Sequence, residues 1–345
     1  MIDVKDRQHF LDVLRVAAAC AVVMLHTVTG VADNTDMSLY LMEQRVFLAV
    51  KDIVCWCVPM FIMISGYLFL DPSRQLTMSR IVTKYCRRVV LALLVFGVPY
   101  AWVELIVTEG NFRPGMLWQG VIRVLRWQSW SHMWYLYLIL FLYLLTPAIR
   151  WVLKRIPRAA VYVMLAALLV GSSILPFAMN LLGKQQPPLW RMSSELIYLF
   201  YYLCGYLFVC QKRWEKWQFA LSAGLAAALA AGMTASRLNG FSMQMAYNYP
   251  FTVLLSLCLF CAASAWGKSH PAKNTELWES AARLCFAVYL IHPVFLNLAY
   301  KYFDVTPLSY FIGISLPMFF LGALLLAAIS AWLLLKIPIL RKYVL

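Results

Sequence analysis

The segment RVAAACAVVMLH places an arginine and a histidine at the two ends of a run of small and apolar residues. On an α-helix, the eleven steps from Arg15 to His26 return to within about 20° of the starting direction and cover about 16 Å along the axis. One helix face therefore carries both a permanent cation and a group that titrates near neutral pH, which suits a general base. Asp12 lies three residues before Arg15, near the same stripe, and is close enough to be its ion partner.

A second segment with a candidate catalytic side chain is VYLIHPVF, which contains His292 directly before Pro293. Proline has no backbone N–H, so the carbonyl of Tyr289 loses its usual helical partner and the helix opens beside the imidazole. Opened backbone at membrane depth normally lines a cavity or packs within protein. His292 is therefore a candidate catalytic residue.

The segment RIVTKYCRR carries the cations Arg80, Lys84, Arg87 and Arg88 at helical spacing, so that one face presents several of them. Arginine offers forked donors that match phosphate oxygens, and the cluster suits the anionic part of a phosphorylated cytosolic ligand. A solvated or lipid-contacting face is the alternative interpretation.

Polar and aromatic residues also lie at the ends of apolar segments. His132, Trp134 and Tyr135 begin the stretch SHMWYLYLILFLYLLTP, where an aromatic interface belt is the alternative to a substrate site. Glu104, at the end of an earlier apolar segment, is a candidate to orient the imidazole of His26 or to line an acceptor cleft. A simple interface carboxylate is the alternative.

The composition places these residues in a membrane. The chain is 63% hydrophobic and 13% charged, whereas soluble domains are about half apolar and a quarter charged. We therefore predict an all-α, polytopic integral membrane protein forming a single domain over residues 1–345. Runs of roughly 20 apolar residues predict ten transmembrane helices, at about 10–28, 47–70, 87–107, 133–149, 159–177, 195–211, 217–235, 249–266, 281–300 and 308–335.

The distribution of Lys and Arg predicts the orientation. With ten spans, most of the 30 basic residues fall in the N-terminal segment, in every second connection and in the C-terminal segment. Such an excess of Lys and Arg is typical of cytoplasmic segments. They include Lys5, Arg7, Arg74, Arg150, Lys154, Arg155, Arg158, Lys212, Arg213, Lys273, Arg341 and Lys342, whereas the outer connections hold fewer, such as Arg45, Arg113, Lys184, Arg191 and Arg237. Both termini are therefore expected in the cytoplasm, and an anionic inner leaflet accounts for the net charge of +15 without a nucleic-acid partner.

Four ordered motifs make the chain resemble the acyltransferase-3 family of bacterial ten-span membrane O-acyltransferases. They are LDVLRVAAACAVVMLH, VPMFIMISGYLF, HMWYLYLILFLYLLTP and VYLIHP, and together they extend over nearly the whole chain. The resemblance is to the stand-alone form, without the fused esterase-like domain of larger members. It implies that acyl-CoA, usually acetyl-CoA, is used from the cytosol, and that a hydroxyl of an envelope glycan or lipid-linked sugar is acylated on the outer side of the bacterial inner membrane.

On that resemblance, Arg15 marks the inner mouth of a channel, and the cluster from Arg80 to Arg88 holds CoA phosphates. His26 then receives the proton of the attacking alcohol, either in a direct transfer or by way of an acyl-histidine intermediate. No metal is expected. A transporter or flippase is the rival hypothesis, although we find no internal repeat of the kind common in transporters, and a membrane scaffold would leave the Arg15–His26 stripe unexplained.

Overall fold

The computed structural model describes residues 9–184, 194–211, 215–240, 246–269 and 275–345. Within these ranges the chain is helical, and nine of the helical stretches are long and apolar enough to cross a membrane. The protein is therefore an all-α, multi-pass membrane protein, as the composition predicts. The helices are α1 His9–Ala32, α2 Leu41–Val54, α3 Cys57–Phe69, α4 Met78–Glu109, α5 Met116–Leu125, α6 Trp134–Leu153, α7 Arg158–Leu181, α8 Ile197–Cys210, α9 Lys216–Leu238, α10 Pro250–Ser269, α11 Thr275–Tyr302, α12 Ile312–Leu335 and α13 Pro338–Tyr343.

The sixth predicted span corresponds to α8, which at 14 residues is about 21 Å long and thus shorter than the hydrocarbon core of about 30 Å. In the first half of α8, the hydroxyl of Tyr201 donates to the backbone carbonyl of Tyr247 at 2.7 Å. The next residue, Asn248, donates to the backbone carbonyl of Ser172 in the second half of α7. In the second half of α8, Tyr206 lies within electrostatic reach of Arg158, the first residue of α7. Helix α8 therefore runs antiparallel to α7, as a tenth crossing requires.

The second predicted span is interrupted, and its residues form two helices. Helix α2 ends at Val54 and α3 begins at Cys57, so the chain turns at Cys55 and Trp56. Pro59 lies four residues after Cys55 and has no N–H to donate to its carbonyl, which explains the end of the continuous hydrogen-bond ladder here. Pro59 itself fits within the first turn of α3, where a missing donor is tolerated.

Close packing of α3 against α8 depends on two glycines. A β-carbon on Gly66 would overlap the backbone carbonyl of Tyr202, and one on Gly205 would overlap the carbonyl of Met63. Small residues at such crossings let two backbones approach within a membrane. The backbones of α3 and α8 therefore meet at Gly66 and Gly205.

The described helices divide into two compact units. The first contains α1 to α3 and α7 to α11 with most of α12, and the second contains α4 to α6, α13 and the end of α12. In the first unit α1 contacts α11, α2, α3 and α10. In the second, α4 contains two π-helical stretches, Ile81–Cys86 and Leu93–Gly97, so the 100° spacing used to place its four cations on one face does not hold along its length.

The contacts between connecting segments agree with the predicted sides. Arg150 donates to the carbonyl of Arg74 at 2.7 Å, and both belong to segments predicted to be cytoplasmic. Arg45 donates to the carbonyl of Leu238 at 3.2 Å, and both belong to the predicted outer side. The predicted cytoplasmic residues Lys5, Arg7, Lys212, Arg213 and Lys273, and the outer residue Arg191, lie outside the described residues.

Reporter fusions test this topology. We expect a reporter inserted between Lys154 and Arg158, or fused after Leu345, to read cytoplasmic, and one inserted at Gln185, outside the described residues, to read external. An insertion at Gly240 tests α8 directly, because it is external only if α8 crosses the membrane. A cytoplasmic reading at Gly240 with an external reading at Leu345 would leave nine crossings.

Candidate active site

The two histidines singled out by the sequence meet in the first unit. The ring centroids of His26 on α1 and His292 on α11 are 5.1 Å apart, and the ring planes are inclined at 46°. His292 is fully buried, and His26 is half-buried. The structure thus brings together two candidate catalytic side chains that are far apart in the sequence.

The tautomer of His292 follows from its backbone contact. Its Nδ1 lies 3.0 Å from the carbonyl oxygen of Val288, one helical turn earlier. Because a carbonyl only accepts, this hydrogen bond requires the proton on Nδ1, so the lone pair of the neutral ring is on Nε2. A ring held in this tautomer is able to accept a proton at Nε2.

Arg15 lies on the same helix, toward the opposite end of α1 from His26. Its guanidinium donates to the Asp12 carboxylate at 2.9 Å, and the carboxylate is buried. Both charged groups are within electrostatic reach of Cys285 on α11. Arg15 and His26 therefore both lie toward α11, in agreement with the shared stripe that the spacing predicts.

Two tyrosines of α11 complete this part of the first unit, and sequence analysis did not identify either side chain as a site residue. The hydroxyl of Tyr300 donates to the carbonyl of Thr27, the residue after His26, at 3.0 Å. The ring of Tyr300 lies against Gly30, where a β-carbon would be only 3.0 Å from it. Tyr289 lies beside His292, with ring centroids 6.4 Å apart. The contacts of Tyr300 hold α1 and α11 together close to the histidine pair.

The three predicted substrate residues, His132, Trp134 and Tyr135, belong to the second unit. His132 is buried next to a stacked pair formed by Tyr100 and Trp130, whose ring centroids are 4.2 Å apart. Trp134 and Tyr135 are half-buried and contact each other edge to face at 6.4 Å. Sequence reasoning missed Tyr100 and Trp130, since stacking between a helix and a connecting segment leaves no periodic pattern.

Glu104, the third candidate catalytic residue, also belongs to the second unit. Its side chain is exposed on α4, and its backbone carbonyl accepts a hydrogen bond from Thr108 at 2.7 Å. This bond joins the Thr108 hydroxyl to the backbone of Glu104 and does not involve the Glu104 carboxylate, which lies at the surface of the described unit.

The basic cluster of Arg80, Lys84, Arg87 and Arg88 is exposed on the second unit. Two of its members contact the C-terminal segment: Arg87 lies over the ring of Tyr343 at 5.3 Å, and Arg88 donates to the carbonyl of Val344 at 3.1 Å. These contacts bring Arg341 and Lys342 of α13 to the same cluster, and Lys342 shares the ring of Tyr343 at 5.0 Å. The sequence did not predict this addition, because the pairing joins segments that are distant along the chain.

The first unit also contains a buried ion pair that the sequence analysis did not assign. Arg237 of α9 donates through Nε to the Asp52 carboxylate of α2, and both side chains are almost fully buried. Arg237 was predicted to lie in an outer connection, but it lies within the last turn of α9. A signal was available, because Asp52 is an acid within the predicted span 47–70, and charges there are seldom retained without a role.

A comparison with protein-family models matches residues 8–336 to the family described as "Acyltransferase domain", the acyltransferase-3 family. No curated protein and no solved structure matched. The match includes α1 with Arg15 and His26, the basic cluster of α4, and α11 with His292, and it extends over nearly all of the chain. The protein is therefore a member of the acyltransferase-3 family of membrane acyltransferases.

Proposed function

We propose that this acyltransferase moves an acetyl group from cytosolic acetyl-CoA to a hydroxyl of an envelope glycan or lipid-linked sugar on the outer side of a bacterial inner membrane. The observation that carries the proposal is the arrangement along α1 and α11: a histidine pair 5.1 Å apart toward one end and the Arg15–Asp12 pair toward the other. With the predicted topology, the histidines lie toward the acceptor side and the arginine toward the donor side.

In the proposed reaction, His26 accepts the proton of the acceptor hydroxyl as its oxygen attacks the thioester carbonyl. The new C–O bond forms, the C–S bond breaks, and the CoA thiolate leaves and takes up a proton. His292, held with Nε2 as its acceptor nitrogen, orients His26 and shares its positive charge. The same pair also serves an acyl-histidine route, in which His26 attacks first and the acceptor hydroxyl then displaces it.

The donor side of the proposal rests on charge. CoA carries several phosphate charges on one end and a long, uncharged arm ending in the thioester. The exposed cations Arg80, Lys84, Arg87 and Arg88 offer phosphate donors, and the uncharged arm is suited to passing between helices beside Arg15. His132, Trp134, Tyr135 and Glu104 are proposed to contact the acceptor.

The function is tested with purified protein, labelled acetyl-CoA and an extract of envelope glycans and glycolipids. We expect transfer of label to the extract, release of free CoA in equal amount, and no transfer when the acceptor is omitted. A transporter would release no CoA. A protein that neither binds nor consumes acyl-CoA in this assay would exclude the proposed function.

The donor site predicts a specific mutational result. Replacing Arg87 and Arg88 by Gln should weaken acetyl-CoA binding by at least about ten-fold and make the remaining affinity less sensitive to salt, because exposed charge pairs are screened. Lys84→Gln is a needed companion, because Arg87 and Arg88 also contact the C-terminal segment, whereas Lys84 lies near Tyr85 of its own helix.

Arg155→Gln is the matched control, since Arg155 lies over the ring of Trp151 at 4.0 Å, outside the proposed phosphate site. Binding is measured by titration in detergent at several salt concentrations. If the double variant and Lys84→Gln both bind acetyl-CoA as the parent does, these cations are lipid contacts instead.

A further inference from the structure

A large apolar cavity lies in the first unit, between helices α7, α8, α9 and α10. Its volume is about 650 Å³, within the range of about 300–1,000 Å³ typical of small-molecule sites. None of the residues proposed above for acyl transfer lines it. Several lining side chains, including Tyr162, Trp217 and Leu221, are well exposed. The cavity is therefore open at the outer surface of these helices.

The cavity has a polar end and an apolar end. Gln211, Trp217 and Gln218, at the end of α8 and the beginning of α9, form the polar end. From there the lining continues along α9 to Leu225 and along α7 to Leu169, a depth of about 10–12 Å at the rise of an α-helix. That depth compares with about 15 Å for one leaflet of the hydrocarbon core.

The lining along this depth is mostly apolar, and its polar groups are the hydroxyl of Ser222 and the thiols of Cys204, Cys258 and Cys261. The hydroxyl of Ser222, the most polar group below the rim on α9, donates to the carbonyl of Gln218 on its own helix at 2.6 Å. Phe200, Leu207 and Phe208 on α8 and Leu257 on α10 also line this part of the cavity. An apolar chain therefore suits it as an occupant.

Among the described residues, two exposed cations lie at the polar end. Arg158 is one helical turn before Tyr162 on the same face of α7, and Lys216 directly precedes Trp217. The nearby acid, Glu215, accepts the N–H of Gln218 in the capping box of α9, so its charge is directed to the helix start. Basic pockets between transmembrane helices favour anionic lipid headgroups.

We propose that this cavity binds one anionic phospholipid of the adjacent leaflet, with an acyl chain along α7 and α9 and the phosphate between Arg158 and Lys216. The proposal does not depend on the acyl-transfer mechanism. A single cation near a membrane surface favours an anionic lipid by roughly five-fold, so two favour it by roughly 25-fold.

The test is native mass spectrometry of delipidated protein in detergent, titrated with phosphatidylglycerol and with phosphatidylcholine of the same chains. We expect phosphatidylglycerol to bind roughly 25-fold more tightly. Arg158→Gln with Lys216→Gln should reduce its affinity to that of phosphatidylcholine. Lys301→Gln, an exposed cation away from the cavity, should leave it unchanged.

The chain offers a matched pair of variants for the apolar part. Ala166 and Ala167 are both exposed on α7, but only Ala166 lines the cavity. Ala166→Trp should abolish binding of both lipids, and Ala167→Trp should bind as the parent does. Leu225→Trp, from the facing wall, gives the same test if Ala166→Trp does not fold. Equal affinities for the two lipids in the parent, or undiminished binding in the filled variants, would overturn the proposal.

Discussion

Replacing His26 by Ala is expected to reduce acyl transfer by at least about 100-fold, because general acid–base catalysis contributes about 10²–10⁴-fold. The change removes the proposed proton acceptor and leaves the Arg15–Asp12 pair and the exposed cations of α4 in place. Expression, membrane insertion and acetyl-CoA affinity should therefore remain close to those of the parent. The readouts are labelled-acetyl transfer under saturating donor and a separate binding titration.

Two companion variants make the result specific. His9→Ala removes another histidine of α1, one that lies 3.8 Å from Glu279 and far along the helix from His26, and it should transfer acetyl as the parent does. Arg15→Ala should instead raise the KM for acetyl-CoA, since it acts at the donor end. Transfer by His26→Ala at the parental rate would show that His26 is not the base.

The second large effect concerns stability. Replacing Asp52 by Ala leaves the guanidinium of Arg237, which is 2% exposed, without its carboxylate. Removing one partner of a buried ion pair costs about 3–5 kcal/mol, so the thermal midpoint of the purified protein should fall sharply. The double change of Asp52 and Arg237 to Leu should recover much of this loss, because it removes both buried charges.

A more exposed ion pair provides the control. Arg113 and Glu109 are 4.0 Å apart at the end of α4, and their side chains are 68% and 37% exposed. Replacing both by Gln should change stability by less than about 1 kcal/mol, since surface ion pairs contribute little. Midpoints are compared in one detergent at one salt concentration. A parental midpoint for Asp52→Ala, or a double Leu variant as unstable as the single one, would refute the assigned role of the pair.

The spans and the family were predictable from sequence, because both depend on local properties: the length of apolar runs and the spacing of residues such as Arg15 and His26. The family assignment and the all-α multi-pass fold are confirmed. The roles of His26, His292 and Glu104 stay predictions, as do those of the basic cluster and of His132, Trp134 and Tyr135.

Contacts between distant segments were beyond sequence reasoning. Hydropathy ends a predicted span near residue 235, so Arg237 was assigned to a connection, whereas its pairing with Asp52 extends the helix and buries the charge. Nothing local signals that Tyr300 reaches the carbonyl of Thr27. The π-helical stretches of α4 also leave no signal in the sequence, since an added residue per turn does not change the hydropathy of an apolar run.

The pairing of α1 with α11 has a consequence for biosynthesis. Spans enter the membrane in the order of synthesis. Most of the chain is therefore synthesised before His292 and Tyr300 of α11 can pack against α1. During that interval the cation of α1 depends on the local bond from Arg15 to Asp12, which forms within one helical turn. The nascent chain thus carries its own counter-ion from the outset, whereas the histidine pair is completed only when the last spans are inserted.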